Sequence, residues 1–120
     1  MEKNLINKKV AFGISDPWDL GEQLGWPTLE ATIVNVKDEG GMPISIAIQL
    51  TNPFVYKDAR CEFFIVSPRL EGNDFSQLSK KQSVFSGFTR ISSDQIAGDD
   101  PCDLSHWRGG IALIGSIELM

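Results

Sequence analysis

The sequence predicts an all-β fold, namely a small antiparallel barrel of five to six strands with two or three short helical turns. Three observations lead to this prediction. In several stretches apolar residues alternate with small or polar ones, which is the pattern of a strand with one buried face. Turn-forming residues separate these stretches at short intervals. No segment carries an apolar stripe long enough for a crossover helix, so an antiparallel meander is expected.

The first two strands are expected over Lys9–Ser15 and Leu29–Val36. In the first strand, every second residue from Val10 to Ile14 is apolar. In the second, the alternation shifts by one residue between Ile33 and Val34. A β-bulge, or burial on both faces, would produce this shift.

The third and fourth strands are expected over Ile44–Leu50 and Cys61–Val66. The third alternates cleanly and is followed by Asn52–Pro53, a turn signal. Glu39–Gly41 before it predicts a hairpin turn. The fourth is apolar on both sides, which indicates a central strand.

The last two strands are expected over Val84–Ile91 and Ile111–Leu119. The fifth has a weaker pattern because Gly87 interrupts it. In the sixth, Gly115 stands where a buried side chain is due. A glycine at such a position suggests a bulge or a sharp bend.

Helix signals are short and begin at Asp16, Asp74 and Ser92. Asp16 suits the N-cap position and Pro17 the first helical position, and Gly25 can end the turn in the left-handed conformation. None of the three segments extends beyond about two turns, because long apolar stripes are missing.

Among small barrels, the sequence favours an SH3-like arrangement first and an OB-like one second. The OB-like alternative stays open because the segment 74–81 could be the helix between the third and fourth strands of that fold. With 120 residues, the chain is expected to be a single domain over 1–120, in which residues 1–7 form a loose N-terminal extension.

Composition narrows the classes of partner and compartment. The net charge of −5 disfavours binding to nucleic acid. The longest apolar run, Phe63–Val66, is too short to span a membrane, and the first residues lack the apolar core of a signal peptide. A cytoplasmic location is therefore expected, where Cys61 and Cys102 would be separate small buried residues rather than a disulfide.

The first candidate site is the segment 16–27, DPWDLGEQLGWP. Trp18 and Trp26 each combine a large apolar surface with one N–H donor, as residues at binding surfaces do. Asp16 and Asp19 would give this surface a polar rim. The alternative is structural, in which both tryptophans cover the open end of a small barrel.

The second candidate site is the segment 102–110, CDLSHWRGG, which contains the only histidine of the chain. His106, Trp107 and Arg108 stand together there, and the Arg108 guanidinium could bind a carboxylate or a phosphate. Alternatively, Arg108 stacks and pairs internally with Asp16 or Asp19.

Catalytic and metal chemistry is weakly supported. A nucleophilic thiol would need His106 beside Cys102 or Cys61, and no sequence typical of catalytic cysteines surrounds them. The spacing of Cys102 and His106 lacks the second paired motif of a zinc site. We therefore expect neither an enzyme nor a bound metal or cofactor.

The favoured function is a non-enzymatic β-barrel domain that binds another protein, or a second copy of itself through the edge of the last strand. Two alternatives remain: an acidic inhibitor or immunity-type protein whose segment 94–103 covers a basic partner, and a small-ligand or enzyme pocket that uses His106. Partners are expected to be proteins, with no nucleic acid and no membrane. The predicted binding surface, called the tryptophan patch below, consists of Asp16, Trp18, Asp19, Trp26, His106, Trp107 and Arg108.

Overall fold

The structure is a closed antiparallel β-barrel. The computed structural model describes residues 5–14, 28–40, 42–56, 59–68, 75, 84–91 and 112–120. Within these residues each strand pairs antiparallel with the next, and the last pairs with the first, which closes the sheet. The strands are β1 (Lys9–Ile14), β2 (Leu29–Glu39), β3 (Met42–Tyr56), β4 (Ala59–Pro68), β5 (Val84–Ile91) and β6 (Ala112–Leu119).

The predicted fold class is confirmed. The strand order is a plain meander without the Greek-key crossover of an OB-fold, and the SH3-like subtype stays a prediction. No α-helix occurs in the described residues, and none of them forms a helix long and apolar enough to cross a bilayer. The helical turns predicted at Asp16, Asp74 and Ser92 begin outside the described residues.

The barrel interior is a packed core around three aromatic rings. The ring of Phe88 stacks on that of Phe12, with centroids 4.9 Å apart, and meets the edge of the Phe64 ring at 6.3 Å. Aliphatic side chains from all six strands surround these rings. The fully buried members include Val10, Ala31, Ile33, Ile46, Ile48, Val66, Val84 and Ile117.

The bulge predicted in β2 is present. The register with β3 shifts between Ile33 and Asn35. Ile33 belongs to the barrel core and Val34 to a second cluster with Ala47 and Ile65, because neighbouring strand residues face opposite sides. The shift brings Val36 instead of Asn35 to the core side. The buried Ile65 alternates with the core residues Phe64 and Val66, so β4 is apolar on both faces, as its sequence predicts.

The predicted end of β3 at Asn52–Pro53 is wrong, because the strand runs on to Tyr56. Gln49 pairs with Phe63 and Phe54 pairs with Cys61, so four residues of β3 lie opposite one residue of β4, and β3 has three extra residues. Pro53 is tolerated there because a residue without an N–H donor fits where the ladder is interrupted.

The bulge predicted at Gly115 is absent. Gly115 pairs with Ile14 on one side and Ser86 on the other without a register shift. Both Gly115 and Ser86 are buried, and the Ser86 hydroxyl donates a hydrogen bond to the Val84 carbonyl oxygen at 3.0 Å. Interiors of small barrels alternate small and large side chains, and this pair leaves room for neighbouring large ones.

The two ends of the barrel are named here from the direction of β1. The lower end is where β1 begins and β2 turns into β3, and the upper end is where β1 stops and β2 starts. At the lower end Glu39 pairs with Met42, and Gly40 has a φ of 61°, as expected for the predicted hairpin turn.

Two side chains from outside the strands complete the core. Leu5, which precedes β1, and Phe75, in the connection from β4 to β5, are both buried in it. The backbone N–H of Asn7 donates a hydrogen bond to the Ile33 carbonyl oxygen at 2.8 Å. Residues 5–7, predicted as part of a loose extension, are therefore held against β2, and both Leu5 and Phe75 come from chain segments attached to the lower end.

Candidate functional site

The seven residues of the tryptophan patch lie outside the described residues: Asp16, Trp18, Asp19, Trp26, His106, Trp107 and Arg108. The structure does describe the strand ends to which their segments are joined. The segment 15–27 connects Ile14 to Thr28, and the segment 92–111 connects Ile91 to Ala112.

All four anchor points lie at the upper end of the barrel, because connections in an antiparallel meander alternate between the two ends. They also lie on neighbouring strands. Phe12 near the end of β1 pairs with Leu29 at the start of β2, and Ile14 pairs with Gly115 in β6. Ala112 lies three residues before Gly115 in β6, which is about 10 Å towards the upper end at the rise of a strand. Both tryptophan-bearing segments are thus anchored on neighbouring strands at the same end of the barrel.

The upper end also carries a projecting hairpin formed by β3 and β4. Beyond the register shift, Phe54–Tyr56 pairs with Ala59–Cys61. Phe54 packs against the barrel core, whereas the neighbouring Val55 is 66% exposed. Val55 is the most exposed large apolar side chain among the described residues. It adds apolar surface beside the anchor points.

Polar contacts connect three strands near the base of this hairpin. The Gln49 side-chain amide donates to Glu62 Oε2 at 2.9 Å, and Arg60 Nη2 lies 3.1 Å from Glu62 Oε1. Arg90 Nε of β5 donates to the Arg60 carbonyl oxygen at 2.8 Å. These contacts join β3, β4 and β5, and therefore hold the base of the hairpin against the barrel.

The network orients the hairpin more than it stabilises the fold. The Arg60 side chain is 68% exposed, and an ion pair in such a position contributes about 0–1 kcal/mol. The Arg90 side chain donates its hydrogen bond to β4 at Arg60. This position lies beyond Phe63 and Ile91, the last Cα pair of the ladder between β4 and β5 at the upper end. Sequence analysis missed this network, because contacts across 13 and 30 residues leave no periodic signal.

The described residues hold few groups with reactive chemistry. No group of three or more His, Cys, Asp or Glu side chains converges among them on a possible metal position. The Cys61 side chain is fully buried within the apolar core. This burial agrees with its predicted role as a small core residue, while Cys102 and His106 lie outside the described residues.

The fold therefore defines the chain as a small closed antiparallel β-barrel with two long connections at one end. Comparison with protein families, with curated proteins and with solved structures finds no match to this chain.

Proposed function

We propose that this chain is a non-enzymatic cytoplasmic barrel domain that binds another protein, or a second copy of itself, through the tryptophan patch at the upper end. One observation carries the proposal: the segments that contain Trp18, Trp26 and Trp107 are anchored on neighbouring strands at the same end. A contiguous aromatic surface requires such an arrangement. The exposed Val55 on the adjoining hairpin would extend it.

The rest of the barrel supports recognition through side chains rather than through strand addition. Edge-to-edge pairing of the final strand with a second copy would need a free edge of β6. β6 is already paired with β5 on one side and with β1 on the other. Backbone groups of β6 are therefore engaged within the barrel, and a partner would contact side chains instead.

Tryptophans in such a surface would dominate the binding energy. An indole buries about 150–250 Å², and central aromatic residues of interfaces commonly lose 2 kcal/mol or more when truncated to alanine. A loss of about 2 kcal/mol corresponds to roughly a 30-fold weaker dissociation constant. The proposal therefore predicts large effects from few residues.

The test starts with capture of partners from the native source, followed by binding measurements with the purified partner. Trp18→Ala, Trp26→Ala and Trp107→Ala are compared with Met120→Ala, which removes an apolar side chain that is 48% exposed at the lower end. At least one tryptophan variant should bind more than about tenfold more weakly, with less than about a twofold change for the control.

Two results would overturn the proposal. One is equal binding by all four variants. The other is protection of all three indoles from acrylamide quenching in the folded protein, because the tryptophans would then only close the barrel. Capture of a strongly basic enzyme whose activity the chain abolishes would instead favour the inhibitor or immunity-type alternative.

A further inference from the structure

The outer face of β1 carries a furrow of about 210 Å³, lined by Ala11, Phe12, Gly13, Thr28, Ser116 and Glu118. Val10 and Phe12 of β1 point into the barrel core, so the alternating residues Ala11 and Gly13 face outward. These are two of the smallest residues, and they lie between longer side chains of β2 and β6. The furrow follows from this difference in side-chain length.

The space above Gly13 is open. A Cβ atom built on Gly13 would meet no heavy atom within 4 Å. The φ of Gly13 is not in the left-handed region that only glycine adopts readily, so the backbone does not require a glycine here. The residue leaves an opening on the outer face without being needed for a turn.

One carboxylate, that of Glu118, lines the furrow, and a second, that of Glu30, stands in the same cross-strand row outside the lining. Ala11 pairs with Glu30 in β2 and with Glu118 in β6, so the two glutamates share one cross-strand row. Two strand spacings separate them, which is about 10 Å. Neither carboxylate forms a hydrogen bond or an ion pair with another described residue. Lys9 lies on the same outer face two residues before Ala11, so the two glutamates and this lysine leave one negative charge in excess, which is complementary to a cation.

The size and the other walls indicate what kind of cation fits. The volume of about 210 Å³ is below the roughly 300 Å³ at which small-molecule pockets begin. It suits one long side chain better than a cofactor. Ser116 of β6 pairs with Gly13. Thr28 precedes Leu29, the β2 partner of Phe12, and therefore lies beside Gly13 on the other side. The hydroxyl groups of Thr28 and Ser116 thus flank Gly13. Hydroxyl oxygens can accept hydrogen bonds from a guanidinium or an ammonium group.

We propose that the furrow receives a lysine or arginine side chain of the protein partner. Its aliphatic stem lies over Ala11 and Gly13, and its charged head lies against Glu118, where charge-assisted hydrogen bonds form. The inference rests on the proposed function, because Thr28 directly follows the segment 15–27 and Gly13 lies two residues before its start. It adds that the partner presents a basic residue beside its contact with the tryptophan patch.

The experiment is an NMR titration of the full chain with N-acetyl-arginine amide, with the uncharged N-acetyl-citrulline amide as the matched probe. The amide signals of Gly13, Ser116 and Glu118 should shift with the arginine compound and not with the citrulline compound. Gly13→Val and Glu118→Gln should each weaken binding at least tenfold. Glu62→Gln, which changes the net charge equally but lies at the hairpin base, should bind as the wild type does.

Each other outcome contradicts the proposal. Shifts that are absent, that are spread over the surface, or that are equal with citrulline show that no cation site exists at the furrow. Equal weakening by Glu62→Gln and Glu118→Gln shows general charge attraction. The dispersion of the amide spectrum confirms that each variant is folded, so that loss of binding is not loss of structure.

Binding of the captured protein partner separates this inference from the proposed function. If the tryptophan variants weaken that binding while Gly13→Val and Glu118→Gln do not, the furrow proposal fails and the proposed function stands. If the furrow variants weaken it and the tryptophan variants do not, the proposed function fails at its stated site.

Discussion

Phe88 lies at the centre of the barrel interior, and its truncation to alanine should be among the most destabilising single changes. The side chain is 1% exposed, stacks on Phe12 and meets the edge of Phe64. Large-to-small substitutions of buried phenylalanine cost about 3–5 kcal/mol, because transfer energy is lost and a cavity remains. We expect Phe88→Ala to lower the free energy of unfolding by about 4 kcal/mol.

The two ring contacts place this value above the lower limit of the range. Aromatic pairs at such separations contribute about 0.5–1.5 kcal/mol beyond the burial of area. A domain of 120 residues has a total stability of roughly 6–18 kcal/mol. The variant should therefore remain folded at low temperature and lose on the order of 15 °C in Tm.

Phe85 on the same strand provides the matched control. It is half-buried and points to the opposite side of β5 from Phe88. Phe85→Ala should lower the free energy of unfolding by only about 1 kcal/mol, since half of a phenylalanine's burial is at stake. Urea unfolding followed by far-ultraviolet circular dichroism measures both variants. A loss for Phe88→Ala below about 2 kcal/mol, or no greater than that for Phe85→Ala, would refute the packing argument.

Three further substitution pairs test other parts of the fold by the same urea unfolding. Leu5→Ala should lower the free energy of unfolding by about 2–5 kcal/mol, because Leu5 is a core residue. Ile6→Ala, at an exposed position, should lower it by less than about 1 kcal/mol. Equal small losses would mean that the N-terminal segment is loose. Gly115→Val should lower the free energy of unfolding by about 1–3 kcal/mol, because it overpacks the interior. Gly13→Val should leave the free energy of unfolding unchanged or raise it. A larger loss for Gly13→Val than for Gly115→Val would contradict the inward facing of Gly115 and the outward facing of Gly13. Gly40→Val should cost about 1–3 kcal/mol because its φ is 61°, and Gly40→Asn should cost clearly less; no difference between the two would contradict the turn conformation.

The strands could be predicted because alternation of apolar residues records which face is buried. The shift between Ile33 and Val34 was enough to locate a bulge that the pairing with β3 confirms. The same rule failed at Gly115, where a missing side chain was taken as a break in the ladder. In the barrel a missing side chain is equally consistent with regular pairing beside larger neighbours, and the sequence cannot distinguish the two cases.

Features that depend on residues far apart in sequence were not predicted. Asn52–Pro53 is a local turn signal, yet β3 continues because Phe54 packs against the core and pairs with Cys61. Leu5 looks like part of an extension until the open lower end of the barrel is known. The furrow on β1 likewise depends on Ser116 and Glu118, which lie beside β1 only after the barrel has closed.

The residues of the tryptophan patch could be selected from the sequence because of their aromatic and charged side chains. The structure adds the positions of the strand ends to which the segments 15–27 and 92–111 are joined. Nothing in the spacing of Trp26 and Trp107 shows that their segments begin on neighbouring strands. That relation follows from the pairing of β1 with β6, which joins the two ends of the meander.

The pairing of β1 with β6 also determines how the barrel assembles. It is the ladder that joins the residues furthest apart in sequence, since Val10 and Leu119 are separated by more than a hundred residues. Loop-closure entropy rises by only about 0.6 kcal/mol per doubling of length, so this step is slow to find rather than thermodynamically expensive. Until it forms, the five hairpin ladders make an open sheet with β1 and β6 as free edges. A chain caught at that stage can exchange β1 with a neighbouring chain, and swapped dimers or aggregates would begin there.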